Sequence, residues 1–176
     1  MHMTFQMMSY LLRYPDEDLQ AALPDIRDFC TRMKEESVQD SLLTFLDEVE
    51  KRDLDQLTDH YIGHFDFGRL TNLYVTYLKL GEQRERGVEL LKLKMMYEEN
   101  GFSLTEKDLP DYLPLMLEFC AHAPEKARTE LLQMHGNAID EIRNKLAEQS
   151  SYYAVLLDAL FHLMEAQGVE IERQVS

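Results

Sequence analysis

Apolar residues recur along this chain at intervals of three and four rather than two, so the sequence reads as a succession of amphipathic helices. The first is expected over 4–13, stopping at Tyr14-Pro15 because proline disfavours helical geometry in the residue before it. A second is expected from Pro24-Asp25 to about Lys34, and a third over 39–52 with Leu42, Leu43, Phe45, Leu46 and Val49 facing inward. Leu54, Leu57, Tyr61 and His64 or Phe65 form the inward stripe of the next, which Gly68 should close. The stretch 71–80 is rich in β-branched and aromatic residues, yet it reads as helix because an isolated strand would find no partner elsewhere in the chain.

The clearest helix is 82–100, capped by Asn100-Gly101. Val88, Leu91 and Met95 share one face and Leu90, Leu93 and Tyr97 a roughly opposite one, which predicts contacts on both sides. Helices over 110–122 and 124–148 follow, the latter with a candidate break at Gly136. The last, 152–166, is apolar nearly all round and is therefore expected at the centre. These elements predict a single all-α domain over 1–176, a bundle of about eight to ten helices. Met1 to Met3 are set apart because Met3 offers a second start, and the chain from Gly168 onward is expected to fray.

Composition narrows the partner. A formal charge of −15 with a pI near 4.7 argues against nucleic acid, which needs clustered Lys and Arg, and favours a basic ligand. No apolar run approaches a membrane span and the N-terminus lacks a signal-peptide pattern, so a cytoplasmic location without membrane insertion is expected. Cys30 and Cys120 lie far apart and match no metal-ligand spacing, which predicts buried, reduced thiols and no disulfide. His60 and His64, at i and i+4, share a helical face that could hold a metal, but the sequence places no third ligand and no glutamate base beside them. They read as structural or surface histidines, with no metal and no cofactor. His122, His135 and His162 stand singly, without a Cys or Ser partner, so nucleophilic catalysis has no support.

The GEQRERG segment at 81–87 lacks GxGxxG and a GKS or GKT ending, and places charged side chains where a backbone would have to approach phosphate. It reads either as a solvated helix start with local ion pairs or as the border of a ligand groove. In LPDYLPLMLEF, 109–119, Pro110 and Pro114 turn the chain and start a helix, with Asp111 near its N-terminus. Leu113, Met116, Leu117 and Phe119 keep helical spacing while Glu118 lies off their stripe. Between Glu98 and Glu118 stand six acids (Glu98, Glu99, Glu106, Asp108, Asp111, Glu118) against one base, Lys107, a segment suited to a basic amphipathic peptide.

These motifs, together with LLRYPD at 11–16, YIGHFDFGR at 61–69, YEENGF at 97–102 and YYAVLLDALFHL at 152–163, make the chain similar to the NarJ family over most of its length. That family comprises assembly chaperones of the nitrate reductase catalytic subunit. The chain more distantly resembles the TorD and DmsD chaperones of molybdoenzyme maturation. Their signature has a histidine after Pro-Asp, where this chain has Tyr112, so no imidazole chemistry is expected there. Positions that often hold histidine in NarJ proteins, before the GEQRERG run, are here Tyr77 and Leu80.

The resemblance implies a TorD-like fold and a non-enzymatic monomer. It implies binding to the N-terminal segment of the apo catalytic subunit of respiratory nitrate reductase until molybdenum cofactor is inserted, with effects on iron–sulfur loading and membrane docking. The expected rim and groove are Tyr61, Phe65, Asp66, Arg69, Tyr97, Glu98, Asp111, Tyr112, Leu113 and Glu118, supported by Arg84 and Arg86. Alternatives are a chaperone for another molybdoenzyme, or a metal- or nucleotide-dependent enzyme built on the acidic and GEQRERG segments.

Overall fold

Residues 2–66 and 71–171 are described by a computed structural model, and among them the helical period is realised in nine α-helices and no strand. The helices are α1 His2–Leu11, α2 Glu17–Thr31, α3 Glu36–Glu50, α4 Leu54–Tyr61, α5 Tyr77–Leu80, α6 Arg84–Glu99, α7 Leu113–His122, α8 Glu125–Glu148 and α9 Tyr153–Ala166. A π-helical turn, Ile62–Asp66, extends α4. The largely apolar α9 packs between α3 and α8 and buries nine of its residues, while α1 packs on α7 and α2 on α3. None of the described helices is long and apolar enough to cross a membrane.

Local chemistry sets the ends of these helices. Asp16 caps α2 by accepting from the Leu19 N–H at 2.8 Å, and Asp53 with Gln56 forms a reciprocal capping box on α4. Three helices close through a left-handed residue that satisfies two terminal carbonyls. Gly101 (φ 84°) closes α6, Ser150 (φ 55°) closes α8 and Gly168 (φ 70°) closes α9. At the last of these, the Val169 N–H donates to the Met164 carbonyl at 3.0 Å and Val169 is buried. The chain at 168–171 is therefore tied down rather than frayed, and 172–176 lie outside the described residues. At the other end, His2 and Met3 belong to α1, with His2 Nδ1 2.7 Å from the Ala121 carbonyl.

Four expectations are corrected by packing. α2 begins at Glu17, not at Pro24-Asp25, because Asp16 and the buried stripe Leu19, Leu23, Ile26 and Cys30 define a longer helix. Pro24 sits on its exposed face, where water can take the carbonyl its ring leaves unpaired. α8 runs unbroken through Gly136, where a Cβ would lie 2.5 Å from Ile171 Cδ1, so this glycine admits the chain that follows α9. The stretch 71–80 is helical only at Tyr77–Leu80; its earlier part is extended and paired with residues 111–113. Finally, α6 buries Leu93 and Tyr97 but leaves Val88, Leu91 and Met95 at least half exposed, so only one of its two apolar stripes is covered.

Candidate functional site

The partner of the extended segment is the Pro-Asp motif. The Val75 N–H donates to the Asp111 carbonyl at 2.9 Å and the Leu113 N–H to the Leu73 carbonyl at 2.8 Å, with Tyr74 and Tyr112 bridged antiparallel between them. This short ladder sets Tyr74 beside Tyr112, ring centroids 5.4 Å apart. Tyr97, also buried, fastens the turn from behind: its hydroxyl donates to the Pro110 carbonyl at 2.8 Å and its ring lies 4.6 Å from that of Phe119.

Asp111 is fully buried, which corrects its expected place on an acidic rim. It accepts from Thr76 Oγ1 at 2.6 Å, from the Thr76 N–H at 3.2 Å, and from Arg86 Nη2 at 3.2 and 3.1 Å. Arg86 Nε also donates to Thr76 Oγ1 at 3.2 Å, and its guanidinium lies 5.3 Å from the Tyr77 ring centre. The charged GEQRERG segment is thus divided. Arg86 locks α6 to the Pro-Asp turn, while Glu82, Arg84 and Glu85 remain exposed.

Above this hub lies an aromatic face. Tyr61 is buried, donates to the Leu12 carbonyl at 3.2 Å and sits 5.4 Å from Tyr14 and 4.9 Å from Phe65. Phe65 in turn rests 5.0 Å from Tyr153. Burial foremost, then the neighbouring Tyr112 phenol, raises the Tyr61 pKa far above its ordinary value, so Tyr61 stays neutral. Tyr14 and Tyr74 are exposed at the edge, Tyr112 is half-buried, and the negative charge of Asp66 acts on both Tyr61 and Tyr74. Arg13 closes another edge, pairing with Glu118 at 2.7 Å.

Of the expected residues, Asp66, Tyr112 and Glu118 keep exposed surface, whereas Tyr61, Phe65, Asp111 and Leu113 are buried and support the cluster from within, which corrects the place of Tyr61, Phe65 and Leu113 on a rim. Tyr97 supports the turn from the interior, and so is no part of an exposed rim. Glu98 is on the exposed side of α6 with Lys94 3.9 Å away, and Arg84 lies in the exposed first turn of that helix, so neither joins the aromatic face. Arg69 and Gly68 lie outside the described residues. Arg13, Tyr14 and Tyr74 also stand at the edge of this cluster without being expected there, although Arg13 and Tyr14 lie inside the LLRYPD motif.

His60 and His64 face each other at 4.2 Å, but their nitrogens are engaged locally. His60 Nε2 is 2.9 Å from Ser151 Oγ, His64 Nδ1 is 2.8 Å from the His60 carbonyl, and the His60 ring stacks on Tyr152 at 4.1 Å. Burial, reinforced by His64 and Arg52, lowers the His60 pKa from 6.5 to about 4. The unfolded chain takes up this proton near 6.5, so unfolding binds a proton between the two values and stability should fall as pH drops from 6.5 towards 4. Urea midpoints across that range should decline less steeply in His60→Gln than in the wild type; equal slopes would remove His60 from the acid response. Cys30 and Cys120 are both buried thiols, pushed up by that burial to about 11 and about 12.

A model of the nitrate reductase delta subunit family matches residues 13–159. The chain is 44% identical over 166 residues to NarJ of Bacillus subtilis, assigned as a nitrate reductase molybdenum cofactor assembly chaperone, covering 94% of this chain and 90% of that protein. It is 32% identical to the nitrate reductase molybdenum cofactor assembly chaperone NarJ of Escherichia coli K12, over 89% of this chain and 67% of that one. A crystal structure of a candidate redox enzyme maturation protein from Archaeoglobus fulgidus shares the fold with a TM-score of 0.67 at 21% identity, covering 94% of each chain.

Proposed function

The chain belongs to the nitrate reductase delta subunit family, and from that premise we propose that it is a system-specific chaperone that assists molybdenum cofactor insertion into nitrate reductase. The observation that carries this reading is the 44% identity to an assembly chaperone across nearly the full length of both proteins. It is a maturation factor and not a catalyst. The client is the apo catalytic subunit, engaged through an amphipathic, basic N-terminal segment, and the chaperone acts in the cytoplasm as a single-domain monomer.

The aromatic face supports this form of binding. Apolar side chains of the client lie on Tyr14, Tyr74 and Tyr112, while its Lys or Arg residues meet Asp66 and Glu118. Ordering a flexible segment costs about 2–5 kcal/mol, so ring burial must provide most of the affinity and charge the encounter rate and orientation. Co-expression with a tagged catalytic subunit tests the proposal. The chain should co-purify with the full subunit and much less with one lacking its N-terminal segment, and molybdenum content should fall when the chaperone is deleted. Full molybdenum loading without it, or capture of a different molybdoenzyme instead, would overturn the assignment.

A further inference from the structure

A cleft runs between α6 and α8 and reaches Val75 and Thr76 at one end, while Tyr14, Tyr74 and Tyr112 are not among its lining residues. One part, of about 330 Å³, has an apolar floor of Leu93, Met95, Met96 and Met134. It joins a larger part of about 910 Å³ through shared walls at Glu89, Met134 and His135. Met95 and Met134 are 50% and 52% exposed, and unbranched thioethers of this kind adapt to irregular apolar partners. Seven carboxylates line the two parts against three lysines, so the cleft is acidic as well as apolar.

His135 stands where the two parts meet. It is only 6% exposed, and its Nε2 has no hydrogen-bond partner among the described residues, an uncommon condition for a buried polar atom. Burial lowers its pKa, against the opposing pull of Glu89 and Asp111. The ring thus forms part of the wall the two parts share, with Nε2 itself shielded from solvent.

We infer that the α6–α8 cleft is a second docking site, which takes a cationic amphipathic helix with its apolar side on the methionine floor and its Lys or Arg residues on the glutamate walls. Length agrees: Glu85 to Glu99 on α6 span about 21 Å at 1.5 Å per residue, the length of a four-turn helix. Charge selects among occupants. A second copy of this chain carries a net −15, and nucleic acids and anionic lipid surfaces are also negative, so each would be repelled by the acidic walls.

The probe is a fluorescein-labelled peptide of about 14 residues with Leu and Lys at helical spacing, four turns long; its control replaces each Lys by Glu. The Lys peptide should bind the full chain and weaken with added salt, and the Glu peptide should not bind. Met95→Gln with Met134→Gln, or Glu89→Gln with Glu130→Gln, should weaken binding by about tenfold or more. Tyr14→Ala, on the aromatic face and outside the cleft lining, should change it by less than about twofold. Both methionines are half exposed, so unchanged melting temperatures should accompany the loss. Any of four results would overturn the inference: no binding, equal binding of both peptides, indifference to the cleft variants, or an equal loss in Tyr14→Ala. So would a dimer dispersed by the methionine variants, which would assign the cleft to self-association. Failure to co-purify with nitrate reductase would leave this result untouched.

Discussion

Asp111→Ala should destabilise the chain by about 3–5 kcal/mol, the range for removing one partner of a buried ion pair. The carboxylate is wholly buried and the Arg86 side chain is 14% exposed, so the substitution would leave a guanidinium poorly solvated and without its counter-charge. It would also remove the acceptor for two Thr76 donors, loosening the extended segment. Asp111→Asn keeps the size and one acceptor oxygen, and should cost about 1–3 kcal/mol. Urea unfolding of both variants and of Arg86→Ala provides the measurement. A change below about 0.5 kcal/mol in Asp111→Ala, the range of ordinary surface substitutions, would show that the hub does not hold the fold.

Tyr112→Ala and Tyr14→Ala should each weaken binding of the client's N-terminal peptide by about 1–3 kcal/mol, as expected for aromatic anchors at an interface. Tyr14 is 49% exposed, so its loss should leave the melting temperature nearly unchanged and separate binding from folding. Tyr112 also belongs to the two-stranded bridge, so Tyr112→Phe is the control: the ring and the backbone pairing remain, and affinity should be largely retained. Glu118→Gln should have a smaller effect, seen mainly as reduced salt sensitivity, because the carboxylate is partly exposed and already shared with Arg13. Calorimetric titration of the peptide into each variant decides the matter. Unchanged affinity in both alanine variants would remove the aromatic face from client binding.

Helices with one clean apolar stripe were legible in the chain itself. α3 buries Leu42, Phe45, Leu46 and Val49, as their spacing implies, and α9, apolar apart from the stripe Asp158, His162 and Glu165, is central. The segment 71–80 departs from the helical expectation before Tyr77 for a physical reason: its β-branched and aromatic residues do favour an extended chain, but the residues that pair with it lie at 111–113 in a turn with no strand periodicity. Its partner could be found only in three dimensions. Gly136 was ambiguous in the same way, since a glycine in a helix can mark either a break or a close approach, and Ile171 settles which.

The site divides along the same line. Sequence alone determined the helical class, the acidic character of the chain, and the motifs that carry membership of the family, because periodicity, net charge and residue order are properties of the chain. Tertiary structure decided which charges are buried and structural and which remain exposed. Asp111 and Glu118 look equivalent in the linear pattern, yet one is a buried counter-charge to Arg86 and the other stands at an exposed edge beside Arg13. Val88, Leu91 and Met95 likewise read as a core stripe, but no described element covers them, so they remain largely exposed. Burial depends on what the rest of the chain brings alongside a residue, and that is settled only when the helices pack.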